Sequence, residues 1–397
     1  MTHQEPDPGA GPLIDRGIRL ISALSVGIGP RPPCSAREEE ASALICDQLE
    51  RLGLSPKVDG FASARSFGPS YLVIFGMALL SWSVERRRRC LSAGLGAGAA
   101  VLGIAESRFS SMSPLALLRR RTSQNVSATI EPKGSVERTV CLVSHMDSSR
   151  SGLMFHPKVT PHLGLAVSAV GVAVAFQALA PLLRLLPAGR ASLLASRLLV
   201  AAGAGLVAQR EVVGSDVPGA NDNASGVAAC LALAARFTEL PLESTRLVVL
   251  VTGSEESGVF GMRKFLASND TSEWSFVNFD GVGADAPLRV LSSEGGPLSG
   301  LKADPGLLTA AEAVGREFPE LRAEPLANGS GLPYDATPVM QAGGRAISIV
   351  NQEGAIPNYH WPSDTADRIS PSAFRRAVEF GGRLVERIDR GGADGQP

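Results

Sequence analysis

Apolar residues are distributed unevenly along this chain, and the longest uncharged stretches fall in two regions. Residues 66–84 and 90–105 contain no Asp, Glu, Lys or Arg. Residues 159–183 form a third such run, and residues 191–209 form a fourth that only Arg197 interrupts. Because a membrane-spanning helix needs about 20 mostly apolar residues, the first and third runs are long enough and the other two are marginal.

The four runs form two pairs, and a short basic turn separates the members of each pair. Arg86–Arg89 lie in the first turn, and Arg184 and Arg190 lie in the second. Each pair would enter and leave on the same side. This predicts two apolar helical hairpins, at residues 66–118 and 156–213, inserted into a globular domain. The pattern favours membrane helices, and four buried helices of a large soluble core are the alternative.

Outside these inserts, short apolar strands alternate with helical patterns. The pattern predicts strands at residues 139–144, 244–252, 276–279 and 346–350, and helices from a capping box at Ser35 to Leu52 and at residues 224–237, 260–267, 307–318 and 372–388. Continuously apolar strands are typical of a parallel or mixed sheet that is covered on both faces. We therefore predict one α/β sandwich domain over residues 12–390, followed by a disordered tail at residues 391–397.

Composition narrows the classes of function. The 397 residues carry a net charge of -1, so no basic field favours nucleic acid as a partner. The five cysteines are scattered without a CxxC pair, which indicates free buried thiols rather than disulfides or a thiolate metal site. Residues 1–12 are polar and rich in Pro and Gly, so we expect no cleavable signal peptide.

Five potential metal ligands follow one another along the chain, each in a short segment whose shape suits a binding site. They are His145, Asp222, Glu256, Asp280 and His360. Two imidazoles and three carboxylates form the mixed nitrogen and oxygen set that zinc accepts in catalytic sites. Several of these residues stand directly after predicted strands, where open α/β sheets place their ligand sites. Each alone has a plainer explanation; Asp222, for example, could simply cap the helix that follows it.

Three further residues could take part in the chemistry. Asp147 could accept a hydrogen bond from the ring of His145 and fix its tautomer. Glu255 stands beside Glu256, and because two adjacent acids are costly to ionise together, a metal on one would leave the other poised as a general base. Tyr359 could stabilise an oxyanion. Each of these residues also has a purely structural interpretation. His145 and Asp147 could lie in an exposed turn, Glu255 and Glu256 in a solvated acidic turn, and Tyr359 could be a half-buried aromatic residue without a catalytic role.

The ordered series resembles the co-catalytic di-zinc aminopeptidases of the clan MH metallopeptidases, which are related to glutamate carboxypeptidases and glutaminyl cyclases. The match consists of Ser-His145-Met-Asp147, Asp222-Asn-Ala-Ser-Gly, Glu255-Glu256-Ser-Gly, Asn-Phe-Asp280 and Tyr359-His360, with Ile28-Gly-Pro-Arg-Pro32 and Ser363-Asp364-Thr365 in support. The resemblance covers roughly residues 12–60, 123–155 and 214–390. As a series these motifs are highly specific.

The resemblance implies a phosphorylase/hydrolase-like three-layer sandwich with a mixed central sheet, and two Zn²⁺ ions. By it, Asp222 bridges the ions, His145 and Asp280 complete one zinc site, and Glu256 and His360 complete the other.

For the reaction, the resemblance implies that Glu255 deprotonates a water shared by the metals. That water attacks the peptide carbonyl, and Tyr359 helps to hold the oxyanion.

The inserts depart from the family, because His145 and Asp222 are usually close in sequence and here stand 77 positions apart.

We expect a membrane-anchored zinc exopeptidase acting on peptides, above all an aminopeptidase. The alternatives are a single-zinc acyltransferase of the glutaminyl cyclase type and a non-catalytic membrane relative. The basic turns favour an extracytoplasmic catalytic domain, although Arg119–Arg121 argue for the opposite orientation. Oligomeric state and side-chain preference stay open.

Overall fold

The computed structural model describes residues 10–186, 188–295, 300–327 and 331–391. Within these ranges the strands are β1 (Lys57–Ser63), β2 (Arg121–Ile130), β3 (Arg138–His145), β4 (Thr245–Thr252), β5 (Trp274–Phe279), β6 (Leu288–Glu294), β7 (Leu301–Lys302), β8 (Glu324–Ala327) and β9 (Arg345–Asn351). The α-helices are α1 (Ala10–Ser22), α2 (Ala36–Glu50), α3 (Gly68–Val84), α4 (Arg89–Ser107), α5 (Pro114–Leu117), α6 (Leu163–Ala178), α7 (Ala180–Leu183), α8 (Gly189–Val213), α9 (Gly226–Glu239), α10 (Phe260–Ser268), α11 (Pro305–Glu317), α12 (Ala336–Gln341) and α13 (Pro371–Asp389). Except for Gly391, the predicted disordered tail lies outside the described residues.

The strands form one mixed sheet in the order β1-β2-β4-β3-β5-β9-β6-β7, and β8 also pairs with β6. Strands β4, β3, β5 and β9 are mutually parallel, whereas β1–β2, β2–β4 and β6–β9 are antiparallel pairs. Nearly every residue of the four parallel strands is buried, because helices cover both faces. The predicted α/β fold class with a mixed central sheet is confirmed.

The four strands predicted from apolar runs are the four central parallel strands of the sheet. The peripheral strands were not predicted, and their sequences explain why. Strand β1 reads Lys-Val-Asp-Gly-Phe-Ala-Ser and is mostly exposed, so it carries no continuous apolar signal. The helix predicted at Ser35 begins there as expected, since the Ser35 hydroxyl accepts a hydrogen bond from the Glu38 amide at 3.2 Å.

The apolar inserts form a four-helix bundle beside the sheet domain. Helices α3, α4, α6 and α8 pack in a ring, each against two others. Their shared core contains Ile74 and Phe75 from α3, Ala99 from α4, Val174 from α6 and Val200 from α8. The two predicted hairpins therefore meet along their lengths rather than standing apart.

Helix lengths in the bundle differ from those expected from the uncharged runs. Three helices, at residues 89–107, 160–178 and 189–213, are long and apolar enough to cross a membrane by length and composition. The first run, expected to be long enough, gives only the 17 residues of α3. The fourth run, expected to be marginal, gives the longest helix, because Arg197 does not interrupt it. That guanidinium pairs with Glu85 inside the bundle at 2.6 Å.

The bundle has an apolar outer surface along its length, and its interior is polar in the half that lies near its basic turns. The buried Gln177 donates to the hydroxyl of Ser196 at 2.8 Å, and the Ser81 hydroxyl donates to the carbonyl of Ser92 at 2.7 Å. The outward side chains are apolar and 40–68% exposed: Val73, Leu80, Val101, Ile104, Leu165, Val172, Leu194 and Leu198. Water-soluble helices show the reverse distribution.

Both basic turns lie at the same end of the bundle, away from the sheet domain. Glu85, in the first turn, pairs with Arg184 of the second turn at 2.9 Å. At the other end, the Arg210 guanidinium of α8 donates to the hydroxyl of Ser66, just before α3, at 2.9 Å. The amide of Leu153 in the sheet domain donates to the side chain of Gln209 at 2.8 Å. Among the described residues, these contacts join the sheet domain to the end of the bundle opposite the basic turns.

Candidate metal centre

The candidate ligands gather at the carboxyl ends of the central parallel strands. His145 is the last residue of β3, Asp280 directly follows β5, and Glu256 lies in the loop after β4. Asp222 precedes α9, and His360 lies in a loop between β9 and α13. Because these strands are parallel, their carboxyl ends share one edge of the sheet. All five side chains are buried.

The five side chains form two overlapping groups. His145 Nε2 lies 3.3 Å from Asp222 Oδ1 and 3.5 Å from Asp280 Oδ2. His360 Nε2 lies 3.1 Å from both Asp222 Oδ2 and Glu256 Oε1. Within each group the potential ligand atoms all lie within 4.8 Å of one another. Asp222 belongs to both groups and directs one carboxylate oxygen to each.

The backbone around Asp222 is held in a non-helical conformation that turns its carboxylate into the site. Gly219 has a φ of 61°, and Asp222 has φ -113° and ψ 91°. The buried Asp364 accepts the amide protons of Asn221 at 2.7 Å and of Asp222 at 3.0 Å. The amide of Gly226, where α9 begins, donates instead to Asn223 Oδ1 at 2.9 Å. Asp222 is therefore not the cap of that helix, which was its plainer explanation.

Asp147 holds both a ligand and the glutamate loop. Its carbonyl oxygen lies 3.1 Å from His145 Nδ1, and its carboxylate oxygen Oδ1 is farther away at 3.6 Å. The carboxylate accepts the amide protons of Glu255 at 3.1 Å and Glu256 at 3.0 Å. The backbone of Asp147 is thus the nearer partner of the His145 ring, while its side chain fixes the loop that follows β4.

The loop of Glu255 has a second buried support that the sequence did not reveal. Ser254 has a φ of 54°, in the left-handed region. Its amide donates to Glu38 Oε1 at 2.9 Å, and Ser123 donates its hydroxyl to the same oxygen at 2.9 Å. The other oxygen of Glu38 accepts the amide of Cys34 at 2.8 Å. Glu38 was recognised only as part of a capping box, and its 216-residue reach to Ser254 leaves no local signal.

The electrostatics of the site favour a bound cation. Burial opposes the charged form of His360, but the carboxylates of Glu256 and Asp222 outweigh it and raise its pKa to about 9. Burial raises the pKa of Glu255 well above its ordinary value; His145 opposes this rise and Glu256 adds to it. So many carboxylates crowded around two imidazoles require a compensating positive charge.

Two buried oxygen atoms test the fit of a metal directly. Asp222 Oδ2 and Glu256 Oε1 are buried and have no hydrogen-bond partner among the described residues. Buried polar atoms are rarely left without a partner. Both atoms face His360 Nε2, and together they form the nitrogen and oxygen donor set that zinc prefers. The residues present therefore fit zinc.

Aromatic rings close the site on the side of His360. The Tyr359 ring is stacked on the His360 imidazole with centroids 3.8 Å apart, and Phe155 approaches the same imidazole edge-on at 4.3 Å. Tyr359 is buried rather than half-buried. His156, to which the sequence assigned no role, packs edge-on against Trp361 at 5.2 Å.

Arg31 joins the loops beneath the site. Its fully buried guanidinium donates to five backbone carbonyls at 2.7–2.9 Å, namely those of Leu24, Gly29, Met146, Pro218 and Gly219. Met146 follows His145, and Gly219 begins the segment of Asp222. The Gly-Pro-Arg-Pro motif was noticed in the sequence, but this bridging role depends on contacts across more than 100 residues.

Comparison with known proteins identifies the scaffold. Residues 206–382 match the model of peptidase family M28. The resemblance to the di-zinc aminopeptidase family is confirmed. No curated protein matches the sequence.

Solved structures share this fold over nearly the whole chain. A zinc aminopeptidase from Bacillus subtilis aligns with a TM-score of 0.57 at 16% identity, covering 94% of this chain and 95% of its own. An aminopeptidase from Aneurinibacillus sp. strain AM-1 aligns with a TM-score of 0.56 at 17% identity, covering 94% and 93%. Glutaminyl cyclase from Tannerella forsythia aligns with a TM-score of 0.54 at 13% identity, covering 94% of this chain and 98% of its own. At these identities the likeness establishes the fold.

Proposed function

We propose that this protein is a zinc-dependent exopeptidase, specifically an aminopeptidase. One observation carries the proposal: two groups of potential metal-binding side chains share Asp222, and Glu255 stands beside them in a third group with His145 and Glu256. The family match and the zinc aminopeptidases among the structural neighbours support the same reading.

Two zinc ions would be held by the two groups. Asp222 would bridge them, with His145 and Asp280 on one ion and Glu256 and His360 on the other. When bound, the ions supply positive charge that polarises the substrate carbonyl and makes water a stronger acid.

Glu255 moves the proton in this proposal. Its carboxylate, half-buried at the rim of the site, accepts a proton from the attacking water as the new C–O bond forms. It then delivers that proton to the leaving nitrogen as the C–N bond breaks, releasing an amine and a carboxylic acid. Tyr359 donates a hydrogen bond to the carbonyl oxygen as negative charge develops there.

The test is metal content together with a peptide digest. Protein purified without chelators should hold about two zinc per chain and release N-terminal residues from short peptides. Mass spectrometry of a peptide library would give the end that is cleaved and the preferred side chain. A zinc-free, folded protein would contradict the proposal.

The alternative functions predict different products. A glutaminyl cyclase-like acyltransferase would bind one zinc and cyclise N-terminal glutamine without hydrolysis. The structural neighbours include glutaminyl cyclases, so this assay is an informative control. A non-catalytic relative would show neither reaction.

We also propose that the four-helix bundle spans a lipid bilayer, with the sheet domain on one side. Three of its helices are long and apolar enough. Its exposed surface is apolar, while its polar side chains pair inside, as in membrane bundles. The protein should therefore stay in the membrane fraction after washing with high salt or alkali.

The basic turns support an extracytoplasmic sheet domain. The side chains of Arg86–Arg89 and Arg190 are exposed at the free end of the bundle, and cytoplasmic loops are enriched in such residues. Cys90 is exposed at the same end and offers a natural probe. In variants with one cysteine each, an impermeant thiol reagent should label Arg246→Cys in intact cells and Cys90 only after lysis. The reverse pattern would place the site in the cytoplasm.

A further inference from the structure

A cavity of about 250 Å³ lies between the metal centre and the base of the bundle. One wall includes the candidate ligand Glu256, and another includes Arg210 near the end of α8. Small-molecule pockets usually start at about 300 Å³, so this cavity fits one small group rather than a long peptide. A substrate held at the metal centre would extend into it.

Away from the metal centre, three arginines line the cavity against two carboxylates. The arginines are Arg65, Arg150 and Arg210, and the carboxylates are those of Glu211 and Asp216. The remaining lining acid, Glu256, faces His360 in the metal centre.

Two of the three arginines have N–H groups that could donate hydrogen bonds to a bound anion. Arg65 Nη2 lies 3.5 Å from Asp216 Oδ2, and Arg150 Nη1 lies 4.0 Å from Asp216 Oδ1. Charge-assisted hydrogen bonds are shorter, at about 2.7–2.9 Å. The side chains of Arg65 and Arg150 are 46% and 29% exposed, so solvent and ligand can reach them. Arg150 also donates its Nε to the carbonyl of Gly214 at 2.9 Å. The remaining N–H groups of the two guanidinium groups share one carboxylate, which is too far away for close charge-assisted hydrogen bonds.

The third arginine is held in place by its own partners, and the wall offers a further donor. Arg210 is almost fully buried, lies 4.3 Å over the ring of Phe67, and donates to Glu211 at 2.6 Å. The hydroxyl of Ser149, also in the wall, is buried and has no partner among the described residues. Two guanidinium groups and a hydroxyl in one cavity wall are the kinds of donor that bind a carboxylate.

We propose that this cavity binds a substrate carboxylate through Arg65 and Arg150, so that the preferred substrates are short peptides with a negative charge next to the scissile bond. The charge is either the C-terminal carboxylate of a dipeptide or an acidic side chain after that bond. This inference rests on the proposed peptidase function for its substrate, but the binding site itself does not require turnover.

The experiment compares matched peptides with the full-length protein in detergent. Ala-Ala is paired with Ala-Ala amide, and Ala-Asp amide with Ala-Asn amide. At least one charged member should have a kcat/KM about tenfold above that of its neutral partner, as expected for hydrogen bonds to a charged group. The first pair reports the C-terminal carboxylate and the second the acidic side chain.

Two variants separate the pocket from general effects. Arg65→Gln combined with Arg150→Gln should bring the preference close to one. Arg246→Gln should keep it, because Arg246 is a similarly exposed arginine that pairs with Glu131 at the opposite end of β4. A preference that survives the double substitution, or wild-type ratios near one in both pairs, would overturn the proposal.

Calorimetric binding of the same peptides to Glu255→Gln distinguishes this proposal from the peptidase function. Hydrolysis without any charge preference contradicts the carboxylate pocket alone. Selective binding that the arginine substitutions abolish, without hydrolysis by the wild type, supports the pocket and contradicts the peptidase function. If the wild type does not hydrolyse the peptides and Glu255→Gln does not bind them selectively, both proposals are contradicted.

Discussion

The sheet domain and the four-helix bundle handle buried charge in opposite ways. In the sheet domain, carboxylates converge on two imidazoles at one sheet edge, and two of their buried oxygens have no hydrogen-bond partner among the described residues. In the bundle, Glu85 Oε1 likewise forms no hydrogen bond among the described residues, but the cations of Arg184 and Arg197 lie 2.9 and 2.6 Å from its carboxylate. The first arrangement is incomplete without a cation, whereas the second is already neutralised by its own side chains.

The surfaces of the two regions differ as well. The outer face of the bundle is apolar over most of its length, and its polar groups are directed inward. The sheet domain has the ordinary distribution, with an apolar core beneath a polar surface. One region is therefore suited to metal chemistry in water and the other to a lipid environment. The predictions below test this division, beginning with the largest expected effect.

Removing the shared ligand should empty the metal centre. Asp222→Ala takes away a carboxylate that faces both His145 and His360, so we expect most of the zinc of both sites, and all measurable activity, to be lost. Elemental analysis measures the zinc, and Asp270→Ala, at an exposed acid, is the control. Full zinc occupancy in Asp222→Ala would refute the bridge.

Replacing the proposed base should separate chemistry from metal binding. Glu255→Gln should lower kcat by about 100- to 10,000-fold, the usual contribution of general acid–base catalysis, while zinc content stays near normal. Glu273→Gln, at an exposed glutamate, should change neither quantity. If zinc falls together with activity, Glu255 is a ligand rather than the base.

Breaking the internal ion pair should weaken the bundle. Arg197→Ala removes one of the two cations that compensate the buried Glu85, and the loss of one partner of a buried pair costs about 3–5 kcal/mol. Thermal unfolding in detergent should show a clear drop for Arg197→Ala and little change for the exposed Arg190→Ala. Equal melting temperatures would mean that the pair does not hold the helices together.

A lysine on the outer face distinguishes lipid from water. Leu198, on α8, is 59% exposed and Leu240, in the sheet domain, is 69% exposed. A lysine at the centre of a membrane helix costs about 2.5–3.5 kcal/mol, whereas exposed positions in water tolerate such changes within about 0.5 kcal/mol. Leu198→Lys should therefore reduce the membrane-inserted fraction, and Leu240→Lys should not. Insertion unaffected by Leu198→Lys would argue against lipid around this face.

The smallest expected effect concerns a buried acid in the sheet domain. Burial raises the pKa of Glu294 to about 7, although Ser348 and Thr337 oppose the rise. Because the folded state then binds the proton more tightly than the unfolded state, the stabilising contribution is full below about pH 4.5 and is lost as pH rises through 7. Glu294→Gln should therefore gain melting temperature relative to the wild type between pH 5 and 8, by the equivalent of about 2.5 kcal/mol. A pH-independent difference would contradict the assignment.

The sequence predicted those parts of the fold that carry a local signal. The central strands β3, β4, β5 and β9 are continuous apolar runs, and their parallel arrangement explains why residues at their ends meet. Strand β1 was missed because its polar residues lie on an exposed edge.

Long-range contacts account for what the sequence did not reveal at the site. The supports given by Arg31 and Glu38 depend on partners 115 and 216 residues away, which no local pattern encodes. The packing of the two hairpins against each other likewise involves long-range contacts, including the Glu85–Arg184 and Glu85–Arg197 pairs. The roles of the ligands and of Glu255 stay predictions that rest on their geometry.

The most direct test of the whole account is the zinc content of protein extracted by detergent from alkali-washed membranes. The account predicts that the chain remains in the washed membrane pellet and carries about two zinc per chain. A folded chain that is recovered there without zinc, or one that is released into the supernatant, would contradict it.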